Sequence, residues 1–129
     1  MDKPTRKVIY FEDDNDMVEL VRIILGREGY QINGVAEGLA GIKAVQQESP
    51  DIVLLDLMLP DMEGWEIYQQ LKHNESTADI PVIVITAKAQ SIDKVLGLEI
   101  AKVDDYISKP FTPQELIERV NKVISGRKI

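Results

Sequence analysis

Five times along this chain a short strand-like run, in most cases continuously apolar, is followed by a longer segment whose apolar residues recur at helical spacing. Such runs lack the alternation of a strand with one wet face, so they fit strands buried on both sides. The first is Val8-Ile9-Tyr10-Phe11 and the second runs from Gln31 to Val35. Ile52-Val53-Leu54-Leu55 is the third, and Val82-Ile83-Val84-Ile85, ending at Thr86, is the fourth. The shortest lies near Asp105-Tyr106-Ile107.

The helical segments carry their own punctuation. Met17, Leu20, Val21, Ile24 and Leu25 mark the first, with Asp14 or Asn15 as N-cap and Gly29 near its end. Leu39, Ile42 and Val45 mark the second, which stops before Pro50; Gly38 and Gly41 weaken the signal for its start. Ile67 and Leu71 place a third from about Gly64 to His73, after a turn at Pro60-Asp61. A fourth surrounds Ile92, Val95, Leu96 and Ile100. The fifth has Thr112 as N-cap, Pro113 at the first helical position and Glu115 completing a capping box, with Leu116, Ile117, Val120, Val123 and Ile124 as its buried stripe.

Strands that alternate with helices form a parallel sheet covered on both faces, because the crossovers are right-handed. The expectation is a doubly wound α/β domain of flavodoxin-like type: five β/α units, a five-stranded parallel sheet and the order 2-1-3-4-5. With 129 residues, one domain spanning 1–129 is expected, large enough to bury a full core.

Ligands of such sheets gather beyond the carboxyl ends of the strands. The residues there are polar: Glu12, Asp13 and Asp14 after the first strand, Asp56 after the third, Thr86 on the fourth, Lys109 after the fifth. Asp56 is flanked by Ile52-Val53-Leu54-Leu55 and Leu57-Met58-Leu59, and a carboxylate rarely enters so apolar a segment unless it is paired, metal-bound or reactive. Clustered carboxylates repel one another and call for a cation. Oxygen ligands suit Mg²⁺ or a similar hard ion such as Mn²⁺. Lys109 adds an ammonium and Thr86 a hydroxyl, so the set describes a phosphoryl-transfer site with an aspartyl-phosphate product.

Tyr10-Phe11-Glu12-Asp13-Asp14, Leu55-Asp56-Leu57-Met58-Leu59-Pro60-Asp61-Met62-Glu63-Gly64, Ile85-Thr86-Ala87 and Asp104-Asp105-Tyr106-Ile107-Ser108-Lys109-Pro110-Phe111 together resemble the receiver domains of two-component response regulators, in order and over essentially the whole chain. The resemblance implies that Asp56 is the phosphoacceptor, taking its phosphoryl group from a phosphohistidine on a sensor histidine kinase or histidine phosphotransfer protein. It implies Mg²⁺ held by Asp13 directly, by Glu12 through water, and by Asp56 and the backbone carbonyl of Met58. Lys109 would pair with Asp56 and then with the phosphoryl oxygens, its bond to Pro110 being cis as is usual in the family. Thr86 would move toward the phosphoryl group, and Tyr106 would turn into the space vacated. The changed surface of the fourth helix, fifth strand and fifth helix would then meet a downstream effector protein or domain. Met58 and Lys88 would line the site and tune the phosphoryl lifetime.

On this reading the chain is a switch that catalyses its own phosphoryl transfer and autodephosphorylation, not an enzyme with external turnover. A Mg²⁺-dependent phosphohydrolase with an aspartyl-phosphate intermediate is a competing reading, but such enzymes carry a second Asp where Met58 stands. A phosphorylation-independent scaffold is another. The chain departs from the family's pattern at Lys102-Val103, where Gly-Ala is common, and at Leu96, where a basic residue often precedes a string like Gly97-Leu98-Glu99. An ion-paired dimer through that face is therefore less secure, although Arg119 fits it; a monomer or a phosphorylation-linked homodimer is expected. The net charge of −7 argues against direct DNA binding. The absence of cysteine excludes disulfides and thiolate chemistry. With no long apolar stretch, a soluble cytoplasmic protein without membrane contact is expected. His73 reads as a solvated helix-end residue, Trp65 as a packing residue, and Asp104 and Asp105 as surface.

Overall fold

A computed structural model describes residues 5–87 and 103–126. Its five strands are β1 (Arg6–Phe11), β2 (Tyr30–Val35), β3 (Ile52–Leu55), β4 (Val82–Thr86) and β5 (Asp105–Ser108). Four helices lie among the described residues: α1 (Asn15–Gly26), α2 (Gly38–Glu48), α3 (Gly64–His73) and α4 (Pro113–Gly126). The helix expected around Ile92 to Ile100, together with Lys88, Leu96 and Lys102, lies outside the described residues.

The sheet has the order β2-β1-β3-β4-β5 with every pairing parallel, as expected. Successive side chains on a strand point to opposite faces, and the core divides accordingly. Val8, Tyr10, Leu54, Ile83 and Ile107 pack on one face with Val21 and Leu25 of α1 and Leu116 and Val120 of α4. Ile9, Phe11, Val53, Leu55 and Val84 pack on the other with Ile42 and Val45 of α2 and Ile67 and Leu71 of α3. All four residues of β3 and all five of β4 are buried, so their unbroken apolar sequence is explained by two-sided burial.

Helix ends follow the sequence with instructive exceptions. Asp14 caps α1, its carboxylate accepting from Asp16 N at 2.9 Å and Met17 N at 3.3 Å. At α4, Thr112 Oγ1 accepts from Glu115 N at 3.0 Å. The reciprocal half of that capping box is replaced, since the Glu115 carboxylate lies 3.6 Å from Arg119 Nε. In α2, Leu39 is 60% exposed and does not belong to the buried stripe. The glycines that obscured the start of this helix are packing residues: a Cβ on Gly41 would collide with the Phe11 ring. At this position the helix passes so close to the Phe11 ring that only a glycine fits.

Candidate functional site

The strand register fixes which residues meet. Phe11 is opposite Leu55, so Glu12 and Asp56 each stand one residue beyond the end of neighbouring strands. Both ends are pinned, with Asp56 N donating to Phe11 O at 3.0 Å and Glu12 N to Val35 O at 2.9 Å. Thr86 ends β4 and is fully buried. Its carbonyl accepts from Lys109 N at 2.9 Å, just past the end of β5, and the Lys109–Pro110 peptide bond is cis.

From there the Lys109 side chain crosses the end of β4. Its Nζ lies 2.5 Å from Glu12 Oε1 and 2.8 Å from Asp56 Oδ2. Asp56 Oδ1 accepts from Met58 N at 2.8 Å, so both carboxylate oxygens are held. Glu12 and Asp56 are 3% and 5% exposed, which makes this a nearly buried cluster of two carboxylates and one ammonium. Burial alone disfavours the Lys109 ammonium, but its hydrogen bonds to Asp56 and Glu12 outweigh that, and its pKa is raised above the ordinary 10.5.

The loop after Asp56 closes on itself. Met58 and Glu63 form an isolated antiparallel bridge, and Gly64 N donates to Leu57 O at 3.1 Å. A Cβ on Gly64 would stand 2.6 Å from Leu57 Cα and 2.9 Å from Asp56 O, so glycine is what lets α3 begin beside the site. Asp61, read from sequence as a turn residue, ties the same loop to α2. Its carboxylate accepts from Gly38 N at 2.8 Å and Leu39 N at 3.4 Å, doing the capping that Glu37 does not. The bond from Gly38 is the main reason its pKa is lowered below 3.8.

Of the residues singled out in the sequence, Glu12, Asp56 and Lys109 come into direct contact, Met58 joins through its amide, and Thr86 through its carbonyl. Asp13 follows Glu12 and is exposed. Tyr106 is 45% exposed and opposite Val84, with its carbonyl accepting from Arg119 Nη1 at 3.2 Å. Three residues were missed. Tyr10 donates from its hydroxyl to Glu12 Oε1 at 3.0 Å; a tyrosine two positions before an acid on one strand face was the available signal. Asp61 is the second. Asp104 is the third: it is exposed, but its Oδ2 accepts from Val82 N at 2.8 Å and so anchors the start of β4.

No three acidic or histidine side chains among the described residues enclose a metal ion by themselves. The donor set still fits Mg²⁺, which characteristically takes one or two carboxylates and keeps several waters. Among the described residues no helix is long and apolar enough to cross a membrane.

The family profile described as the response regulator receiver domain matches residues 8–121. The chain is 39% identical to the DNA-binding response regulator MtrA of Mycobacterium tuberculosis over 120 residues, which is 93% of this chain and 51% of MtrA. The signal receiver domain of a signal transduction histidine kinase from Syntrophus aciditrophicus superposes with a TM-score of 0.86 at 30% identity, covering 96% of this chain and 93% of that one. The receiver domain of sensor histidine kinase PA1611 from Pseudomonas aeruginosa, solved with a magnesium ion coordinated in its active site cleft, has a TM-score of 0.84. At 24% identity, over 94% of this chain and 98% of that one, it shares the fold.

These relatives correct one expectation, the exclusion of direct DNA binding. MtrA is a DNA-binding response regulator, and the chain spans about half its length. The charge of −7 belongs to this stretch alone, so it carries no weight against DNA contacts by a protein that contains such a stretch. With a family profile that covers residues 8–121, and a sheet in the order 2-1-3-4-5 bearing Asp56 at its carboxyl edge, the chain belongs to the response regulator receiver domains, the phosphorylation-dependent signalling switches of two-component systems.

Proposed function

We propose that Asp56 accepts a phosphoryl group from a phosphohistidine on a partner kinase or phosphotransfer protein, and that residues 1–129 act as one receiver unit. The observation that carries this reading is the Lys109 ammonium, shared between Asp56 at 2.8 Å and Glu12 at 2.5 Å beyond three strand ends. A fixed cation paired with a nearly buried carboxylate holds it in place and stands ready to meet the phosphoryl oxygens once that carboxylate acts as the nucleophile. In the transfer, an Asp56 oxygen bonds to phosphorus while the phosphorus–nitrogen bond to imidazole breaks, and the imidazole leaves with the electron pair. Lys109 then turns from the carboxylate to the new phosphoryl oxygens. The Met58 amide, 2.8 Å from Asp56 Oδ1, holds the carboxylate oriented.

Asp13, Glu12, Asp56 and the Met58 carbonyl would hold Mg²⁺ or Mn²⁺. Such an ion, when bound, offsets negative charge that builds up on the transferring phosphoryl group. The magnesium-bearing PA1611 receiver lends this assignment its support. Thr86 is the hydroxyl that approaches the phosphoryl group, and Tyr106 turns inward from its exposed position. The surface of β5 and α4 changes with them and is read by a downstream effector. The reaction ends on this chain, by hydrolysis of its own acyl phosphate.

Acetyl phosphate, with and without Mg²⁺, tests the reading. Labelling should require Mg²⁺ and disappear in Asp56→Asn. An Asp56→Asn protein that labels like the parent would assign the nucleophile elsewhere.

A further inference from the structure

Tyr10 is fully buried in the sheet face covered by α1 and α4, where a phenylalanine would fill the same space. Its hydroxyl is 3.0 Å from Glu12 Oε1, the same oxygen that accepts from Lys109 Nζ at 2.5 Å. Glu12 Oε2 accepts from Asp14 N at 3.2 Å. Three donors therefore fix one carboxylate, and the tyrosine is the one that comes from within the core. Residues i and i+2 of a strand share a face, which is what lets Tyr10 reach forward to Glu12. A glutamate has one methylene more than an aspartate and more rotamers to lose, so an oxygen placed beside Lys109 needs an anchor.

We propose that Tyr10 is a positioning residue that locks the Glu12 carboxylate between Lys109 and the cation site, and so sets the affinity of this receiver for Mg²⁺. The inference rests on the reading of Asp56, Glu12 and Asp13 as the phosphoryl and cation site. It concerns the arrangement of the Glu12 carboxylate, whose rotational freedom the donating hydroxyl removes. Groups that orient metal-facing ligands typically change metal affinity about 10- to 100-fold when removed.

Tyr10→Phe is the variant, and the probe is Mg²⁺ alone, measured calorimetrically on the full chain. The Kd should rise about tenfold, with labelling by acetyl phosphate restored to nearly the parent rate at saturating Mg²⁺. On a Glu12→Gln background the same substitution should leave the Kd unchanged, since Tyr10 acts through Glu12. In the unaltered protein, Mg²⁺ should shift the Tyr10 ring resonances with a midpoint equal to the calorimetric Kd; this measurement stands even where Tyr10→Phe fails to fold. A Tyr10 resonance that stays still, or a folded Tyr10→Phe with the parent's Kd, overturns the proposal. Asp56-dependent labelling of the parent separates the two readings: if it holds while Tyr10→Phe binds Mg²⁺ normally, the positioning role alone fails.

Discussion

Replacing Lys109 by methionine keeps most of the side chain's bulk and removes its charge. What remains is two carboxylates, Glu12 and Asp56, at 3% and 5% exposure, that had shared one ammonium. Removing one member of a buried ion pair costs about 3–5 kcal/mol, because the orphaned charge stays desolvated. Here the lower end applies, since Glu12 keeps donors from Tyr10 and Asp14, and Asp56 keeps the Met58 amide. A loss of about 3 kcal/mol, with a urea slope near 2 kcal/mol/M, lowers the midpoint by roughly 1.5 M.

Urea unfolding in EDTA is the assay, so that no divalent ion replaces the missing charge. A second substitution decides the cause. Asp56→Asn on the Lys109→Met background removes one of the two repelling charges and should restore roughly half of the loss, a coupling of the size seen between directly interacting residues. The pH dependence has a definite sign. Lys109 is held above its ordinary 10.5, so its stabilisation is complete below that value and declines as pH rises through the folded value. The gap between parent and Lys109→Met should therefore be flat around neutrality and close only in strong alkali. A midpoint within 0.3 M of the parent's, at about 0.6 kcal/mol, or a double variant less stable than Lys109→Met, would refute the ion-pair argument.

Two further substitutions probe the loop that carries the nucleophile. Asp61→Asn should lower thermal stability at neutral pH; because Asp61 is held below 3.8, the difference from the parent should vanish as pH falls beneath that value, which paired melting curves would show. Gly64→Ala places a methyl 2.6 Å from Leu57 Cα. It should cost about 1–3 kcal/mol through overpacking and slow Asp56 labelling more than Gly41→Ala, which crowds Phe11 instead; equal labelling in both would mean the loop's position is unimportant.

The architecture was legible because two-sided burial leaves a plain mark: β3 and β4 contain no polar residue before Thr86, and the intervening segments repeat at helical spacing. Glu12, Asp56 and Lys109 were legible for a related reason, since a parallel sheet brings strand ends together whatever their separation in sequence. What escaped was information held between elements. Nothing local tells that Asp61 caps α2 rather than merely turning the chain, or that Asp104 receives the first amide of β4. Tyr10 hid as a core residue because its ring is core, and only the hydroxyl at its tip belongs to the site. Gly41 looked like a helix breaker because helix propensity cannot register the Phe11 ring beneath it.

Charge balance at the sheet edge leads to the last prediction. Glu12, Asp13 and Asp56 contribute three formal negative charges and Lys109 one positive, an excess of two before any phosphoryl group arrives. Like charges about 4 Å apart repel by about 4 kcal/mol at an effective dielectric of 20, so an incoming anionic phosphoryl group meets a barrier that one lysine cannot offset. A single divalent cation matches the excess. Labelling should therefore fall by orders of magnitude in EDTA and return with Mg²⁺ or Mn²⁺ but not with a tenfold higher concentration of Na⁺, which screens at a distance without entering the cluster. Asp13→Asn should weaken Mg²⁺ binding more than Glu12→Gln, because Asp13 is exposed and open to the ion while Glu12 is already engaged by three donors. Labelling in EDTA at the rate seen with Mg²⁺ would show that Lys109 alone suffices and that the excess charge is relieved some other way.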